Sequence, residues 1–408
     1  MNLDINILKR ISEQYGNSFY LIDTEQFKKN FLELQEAFRS IYPNTHIAYS
    51  YKTNYTPVLC KIVNDLGGFA EVVSDMEYEV AKRIGVNLNK IIFNGPYKNS
   101  LAVTEVLLSG GIVNIDSLYE LPLIERIAKD NPNKNIQVGV RCNFDIGENE
   151  ISRFGIDVNS EEFETALHWI TSIKNMELSM IHCHFATRKL ESWFFRVKGM
   201  LEIVDRHLKV IPRFINLGGG LFGKMDEQLK KQFNTYIPSY QDYAKTVAES
   251  FAVRFQEVTA PKLILEPGSA LVGDAMKFVT KVVSIKNIRG KNIATLQGSV
   301  YNINPTLHGK NPPIKIYHTN EHPKIMCRDL DFGGYTCIES DYLYRGYNGY
   351  IAVGDYVVFG NVGSYSIVLK PPFILPNFPI IDFNEETVEL KIIKEAETFE
   401  DLFHTFIF

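Results

Sequence analysis

The chain reads as an α/β protein. Residues 25–275 are predicted to form a (β/α)8 TIM-like barrel, and residues 276–408 with residues 1–24 a C-terminal antiparallel β domain, a sandwich or small barrel. Three observations predict this. Eight short, nearly continuous apolar runs recur before about residue 275, as expected of parallel strands covered on both faces. Segments with helical spacing separate them. After about residue 275 the rhythm changes to short β-type stretches punctuated by Gly, Asn and Pro. A length of 408 residues also exceeds one ordinary core and points to about two domains. An open doubly wound sheet is the competing arrangement for the first part.

The eight runs are "HIAYSYK" (46–52), "FAEVVS" (69–74), "IIFNG" (91–95), "GIVNIDS" (111–117), "IQVGVRC" (136–142), "LSMIHCHF" (178–185), "FINLGGG" (214–220) and "KLILEPG" (262–268). Between them, "PVLCKIVNDLG" and "DMEYEVAKRIG" both end in glycine, a helix stop. "SLYELPLIERIAKD" and "KLESWFFRVKGMLEIVDRHLK" continue the helical pattern. In the last third, "MKFVTKVVSIKNIRG", "KNIATLQGS", "PIKIYH", "YIAVGDYVVFG" and "SYSIVLKPPF" are the β-type stretches.

Composition narrows the function classes. Hydrophobic residues are 45% and charged residues 22%, with net charge −5, so neither nucleic acid nor an anionic membrane surface is an expected partner. No apolar stretch reaches the ~18 residues that span a bilayer, and the first residues carry no secretory pattern. The 5 cysteines are scattered with no CxxC pair, so a reducing cytoplasm is the expected location. His182 and His184 in "IHCHF" share a strand face, but no third ligand cluster accompanies them. No metal is expected.

The chemistry gathers at strand ends, where a (β/α)8 barrel carries its functional groups. Lys52 ends the first strand, Glu71 and Ser74 the second, His184 the sixth, Gly218–Gly220 the seventh and Glu266 the eighth. A lysine among aromatic residues invites explanation, because burying an ammonium is costly unless it is paired or neutralised. Three consecutive glycines allow close approach of backbone N–H groups to an anion. "LGGGLFG" is not a GxxxxGK[ST] loop, so a nucleoside triphosphate is not indicated. An amine, a carboxylate, an imidazole and an anion cradle form a set that pyridoxal 5′-phosphate uses in full. The lysine forms the Schiff base, the carboxylate keeps the pyridine nitrogen protonated, the histidine stacks on the ring and the glycines hold the phosphate.

The motifs "YSYKTN", "EVVSDMEYE", "SRFGID", "HCHF", "INLGGGLFG", "EPGSA", "GYTCIESDYL" and "GSYS" follow in that order. In them the chain resembles the pyridoxal-phosphate decarboxylases of the alanine-racemase-like fold, the group containing ornithine, diaminopimelate and carboxynorspermidine decarboxylases. The resemblance implies a decarboxylase of an amino acid. Lys52 would bind the cofactor and later shuttle a proton, and His184 would stack on the ring. Gly218, Gly219 and Gly220 would hold the phosphate through their N–H groups. Glu266 would pair with the ring nitrogen, Gly268 would lie beside it in "EPG", and Glu71 would stand near the ring. Tyr365 would contact the phosphate, and Cys337 would protonate the substrate carbon. In the family that cysteine comes from the partner subunit, so a homodimer with shared sites is implied. Arg153 takes the basic position of "S-[KR]-F-G". Asn304, Ile338, Glu339 and Asp341 fall on the substrate side.

Departures from the family pattern bear on phosphate and substrate. Ser269 replaces an arginine after "EPG", and Thr187 stands where the family has a serine. Ile338 replaces an acidic residue that grips a distal amine, and Glu339, one position later, points to the other face of an extended chain. Asn304 replaces an arginine that holds a distal carboxylate. These losses argue against meso-diaminopimelate. A racemase on the same fold is the alternative, disfavoured because Glu266 favours the protonated ring that decarboxylation needs. A non-catalytic regulatory relative is disfavoured because lysine, cysteine and glycine loop are all kept.

Overall fold

The computed structural model describes residues 3–149, 151–257 and 260–407. Two compact units emerge. One comprises Lys28–Gly223 and Tyr236–Ala270; the other comprises the described residues of Met1–Phe27, Lys224–Thr235 and Leu271–Phe408.

The first unit is a closed parallel barrel. Its strands are β1 (Thr45–Ser50), β2 (Phe69–Val72), β3 (Ile91–Phe93), β4 (Ile112–Ile115), β5 (Ile136–Asn143), β6 (Met176–His182), β7 (Phe214–Asn216) and β8 (Lys262–Leu265). Each pairs in parallel with its successor. β8 returns to β1 through Leu263↔Thr45 and Leu265↔Ile47, closing the ring without an edge.

Helices follow the strands where the sequence punctuates them. Pro57–Asp65 starts on proline and runs out into Gly67 at φ 81°, a left-handed position. Asp75–Arg83 is capped by Ser74, whose Oγ accepts from the Glu77 N–H at 3.2 Å. The helix Leu190–His207 buries Trp193, Arg196, Val197, Met200 and Ile203.

Several strands stop sooner than their apolar runs. The run through Lys52 ends at Ser50, the run through Gly220 at Asn216 and the run through Gly268 at Leu265. The apolar character persists because the loops beyond are themselves buried. Lys52 therefore sits in a single 3-10 turn, Tyr51–Thr53, between two buried neighbours.

The barrel interior has two layers. Ala48, Phe69, Ile92, Ile112, Met180, Phe214 and Ile264 pack into one apolar cluster. Strand alternation puts residue i+2 on the same face. Two residues onward stand Ser50, Glu71, Asn94, Asn114, His182, Asn216 and Glu266, all buried and all polar. β5 contributes Gly139 to the lower layer and Arg141 to the upper. Glycine is required at 139, because a Cβ there would coincide with the Asn114 amide.

The second unit is one branched, nine-stranded, mostly antiparallel sheet. It contains Phe19–Ile22, β9 (Met276–Ile288), β10 (Lys291–Leu296), β11 (Ile314–Tyr317), β12 (Ile325–Gly333), β13 (Tyr342–Ile351), β14 (Tyr356–Phe359), β15 (Ile380–Phe383) and β16 (Leu390–Lys394). Two pairs are parallel: Phe19–Ile22 with β15, and β10 with β12. Leu8 and Ile11 of the helix Ile5–Tyr15 pack with Phe19, Val279, Val358 and Ile381.

The stretch "SYSIVLKPPF" is not a strand. Tyr365 has φ 65°, its carbonyl accepts from the Leu369 N–H at 3.0 Å, and two prolines follow with no N–H to donate. Among the described residues no helix is long and apolar enough to cross a membrane.

Candidate active site

The upper layer of the barrel, Arg141 apart, forms one hydrogen-bonded network with Lys52. The Lys52 Nζ donates to Glu71 Oε2 at 2.6 Å and to Ser50 Oγ at 2.7 Å, and Ser50 Oγ donates to the same carboxylate. Asn94 Nδ2 bridges the two glutamates, reaching Glu71 Oε1 at 3.0 Å and Glu266 Oε1 at 2.8 Å. Asn94 is itself held by Asn114 Nδ2 at 2.6 Å. Asn216 Nδ2 donates to Glu266 Oε1 at 2.7 Å, and His182 Nε2 lies 3.2 Å from Glu266 Oε2.

This arrangement fixes the charge on Glu266. Burial alone would raise its pKa. His182, hydrogen-bonded beside it, and the nearby Lys52 outweigh that and hold it below the usual carboxylate range. Two amide donors on the same carboxylate act in the same sense. Glu266 is thus a buried anion aimed at the site with its hydrogen-bond acceptors largely satisfied.

His184 is kept neutral. Burial, and then the positive charge of Lys52, push its pKa well below the ordinary imidazole value. Its Nδ1 accepts from the Gly219 N–H at 2.9 Å, so the ring is oriented by the glycine loop. His182 and His184 therefore diverge: one serves Glu266, the other Gly219. Among the described residues no cluster of three or more metal-ligating side chains exists.

The glycine loop tolerates no side chain. A Cβ on Gly218 would run into the Cys183 carbonyl and His184, and one on Gly219 into the Glu266 carbonyl. One on Gly220 would lie 2.9 Å from the Thr187 carbonyl. The three N–H groups are not equivalent. Gly218 donates to Asn216 Oδ1 at 2.9 Å and Gly219 to His184, whereas the Gly220 N–H has no acceptor among the described residues. Gly268 is required on the other side of the mouth, because Thr53 occupies the space its Cβ would need.

Arg153 is exposed and its guanidinium lies over the Phe154 ring at 4.0 Å. Arg141 is buried in the barrel, with Nη1 3.3 Å from Asp116 Oδ1 and Nη2 3.3 Å from the His184 carbonyl. The Thr187 hydroxyl donates to Glu148 at 3.1 Å.

In the second unit, Asn304 is spent on its own turn, donating to the His308 carbonyl at 2.8 Å and accepting from the His308 N–H at 3.2 Å. Asp341 is buried and saturated by Val300 N–H (2.7 Å), Ser299 Oγ (3.1 Å), Thr336 N–H (3.3 Å) and Thr336 Oγ1 (2.6 Å). It anchors the loop carrying Cys337 and Ile338. Cys337 and Glu339 are exposed and Ile338 is half-buried. Tyr365 is half-buried with a left-handed backbone, a strained conformation for a residue with a Cβ.

Asn94, Asn114, Arg141 and Asn216 escaped the reading of the sequence. The available signal was the two-residue step from each apolar interior residue to the next inward position.

A closed parallel barrel with a strand-end lysine, a buried anionic glutamate, a neutral histidine and a sterically closed glycine loop defines a barrel enzyme built around an anionic, ring-containing aldehyde cofactor. These residues fit pyridoxal 5′-phosphate. Residues 26–273 match the family model described as pyridoxal-dependent decarboxylase, pyridoxal binding domain, and the chain belongs to that family. It is a pyridoxal 5′-phosphate-dependent amino acid decarboxylase, a carboxy-lyase. Among curated relatives it is similar to the diaminopimelate decarboxylases of Aquifex aeolicus (24% identical, covering 96% of this chain and 92% of the relative) and Methanocaldococcus jannaschii (26%, 96% and 91%). Among solved structures, the M. jannaschii diaminopimelate decarboxylase superposes with TM-score 0.85 at 24% identity, over 98% of this chain and 94% of the other. A lysine/ornithine decarboxylase from Vibrio vulnificus superposes with TM-score 0.75 at 19% identity, over 93% and 98%.

Proposed function

We propose that the chain decarboxylates an α-amino acid other than meso-diaminopimelate, in a homodimer with shared active sites in the cytoplasm. The observation that carries the reaction type is Glu266, held ionised by His182, Asn94 and Asn216. When bound, pyridoxal phosphate accepts the electron pair left behind by the departing carboxylate. Glu266 favours a proton on the ring nitrogen, which strengthens that acceptance.

The remaining roles follow from placement. Lys52 Nζ binds the cofactor aldehyde and then carries a proton, with Glu71 at 2.6 Å tuning its charge. His184 offers a neutral ring to stack on the cofactor. The Gly220 N–H is free to meet the phosphate, with Gly218 and Gly219 shaping the loop and Tyr365 completing the contact. Cys337, exposed on the loop tied down by Asp341, protonates the substrate carbon across the dimer interface. Its exposure in the single chain supports this reading. Five free cysteines, four of them buried, support a reducing compartment.

Against meso-diaminopimelate stand Ile338, which brings no charge, and Asn304, whose amide is consumed locally. The test is carbon dioxide release across a panel of basic, acidic and polyamine-type amino acids, with meso-diaminopimelate included. Release from another member is expected. Efficient release from meso-diaminopimelate alone overturns the substrate proposal. Loss of optical activity without carbon dioxide would favour a racemase.

A further inference from the structure

Arg196 is fully buried on the helix Leu190–His207, and the chemistry described so far leaves it without a task. Its Nη1 donates to the Gly219 carbonyl at 2.6 Å, and its Nη2 to the carbonyls of Phe185 at 2.8 Å and Thr187 at 2.6 Å. Its Nε has no acceptor among the described residues. Among the described residues no carboxylate pairs with it. Burial pulls its pKa down to about 10, which leaves it charged at neutral pH. The guanidinium lies 4.5 Å from the Trp193 ring centroid and 5.7 Å from that of Phe185, yet a buried cation still gains from a nearby anion.

The peptide geometry shows where. A trans peptide points its C=O and the following N–H in opposite directions. The Gly219 carbonyl faces Arg196, so the Gly220 N–H faces away from it. The Gly220 carbonyl accepts from Trp193 Nε1 at 3.0 Å, so the Leu221 N–H likewise faces away from the helix. Neither N–H has an acceptor among the described residues. Gly218 and Gly220 stand at φ 68° and 88°, the alternation that gathers N–H groups into an anion-binding concavity. A Cβ on Gly220 would lie 3.3 Å from Arg196 Nη2, so the guanidinium lies directly behind the loop.

We propose that Arg196 is the positioning and charge-balancing residue of the phosphate cradle. It fixes the carbonyls of both loops from behind and places a positive charge that a phosphomonoester dianion in the cradle complements. This rests on the reading that the glycine loop holds the cofactor phosphate.

The test compares apoprotein affinities for pyridoxal 5′-phosphate and for pyridoxal, read from Schiff-base absorbance. Arg196→Met is expected to weaken pyridoxal 5′-phosphate binding by about 10- to 100-fold, the range for losing a charged hydrogen-bonding partner. It should leave pyridoxal binding unchanged, and Arg196→Lys should restore most of the preference. Equal loss for both aldehydes, or no loss for either, overturns the proposal. Inorganic phosphate probes the cradle alone. At equal ionic strength it should raise the thermal midpoint of wild-type apoprotein above that in chloride. No such rise in the wild type overturns the proposal even where Arg196→Met fails to fold. Wild type that takes up neither aldehyde refutes the cofactor reading instead, which separates the two failures.

Discussion

The two layers inside the barrel share strands, spacing and burial, yet they differ in every chemical respect. The lower layer, from Ala48 to Ile264, is apolar, and its Met180 Sδ accepts from Asn114 Nδ2 at 3.3 Å and Asn216 Nδ2 at 3.6 Å. The upper layer, two residues further along each strand, is Ser50, Glu71, Asn94, Asn114, Arg141, His182, Asn216 and Glu266. Apolar burial contributes roughly 1.5–3 kcal/mol per large side chain. A buried polar network contributes little net stability, and only when its members are satisfied. The lower layer therefore holds the barrel shut. The upper layer spends that stability on a preorganised set of charges, with Lys52, Glu71 and Glu266 linked through Asn94.

Substitutions divide along the same line. The largest expected effect is Lys52→Ala, which removes the amine proposed to bind the cofactor and carry the proton. Turnover should fall by about 10^3-fold or more, with loss of the Schiff-base absorbance and a nearly unchanged thermal midpoint. Retention of that absorbance would break the assignment of Lys52. Next is Glu266→Gln, which keeps the shape and deletes the charge. An activity loss of about 10^2- to 10^3-fold is expected, as for removal of one preorganised electrostatic group, measured as turnover with cofactor bound. A loss of only a few-fold would show that Asn94, Asn216 and His182 serve the fold and not the ring nitrogen.

The lower layer should respond in the opposite way. Ile264→Ala, two residues before Glu266, creates a cavity and should cost about 2–5 kcal/mol of stability. Turnover of the folded fraction should stay within a few-fold of wild type. Urea unfolding and steady-state rates on the same preparation decide this. A large rate loss with little destabilisation would dissolve the distinction between the layers.

The legibility of the sequence follows the same division. The barrel was readable because parallel strands buried on both faces give continuous apolar runs, and glycine stops such as Gly67 and Gly85 frame its helices. Lys52, His184, Gly218–Gly220 and Glu266 were readable because their chemistry is unusual where it occurs. Asn94, Asn114 and Asn216 were not, because an asparagine at a strand end looks like a turn residue until a partner appears across the barrel. Arg196 was hidden for a related reason: a helical arginine is ordinarily solvated, and only the tertiary fold shows it against the glycine loop. The local bonds of Asn304 and Asp341 were not legible, because a motif position does not reveal which partners a side chain finds. In the β unit, the aromatic and β-branched "SYSIVL" imitates a strand, and the backbone of Tyr365 overrides that propensity.

The smallest expected effect compares two buried carboxylates near Lys52. Glu266 has three side-chain donors and is held ionised. Glu77 accepts the Val73 N–H at 2.7 Å. Burial, then the negative Glu71, outweigh that bond and Lys52 and push Glu77 up to about 7 from 4.5. Between those values the folded protein holds a proton that the unfolded chain has released, so stability falls as pH rises through the window. Below about pH 4.5 both states are protonated and the penalty is absent; above about pH 7 it is complete. Glu77→Gln keeps the acceptor oxygen for Val73 and cannot ionise. The variant should match wild type near pH 4.5 and exceed it by at most about 3 kcal/mol near pH 8. The check is the pH dependence of the apoprotein urea midpoint. Parallel profiles for variant and wild type would mean that folding leaves the Glu77 pKa unshifted, and that its single donor suffices to offset burial.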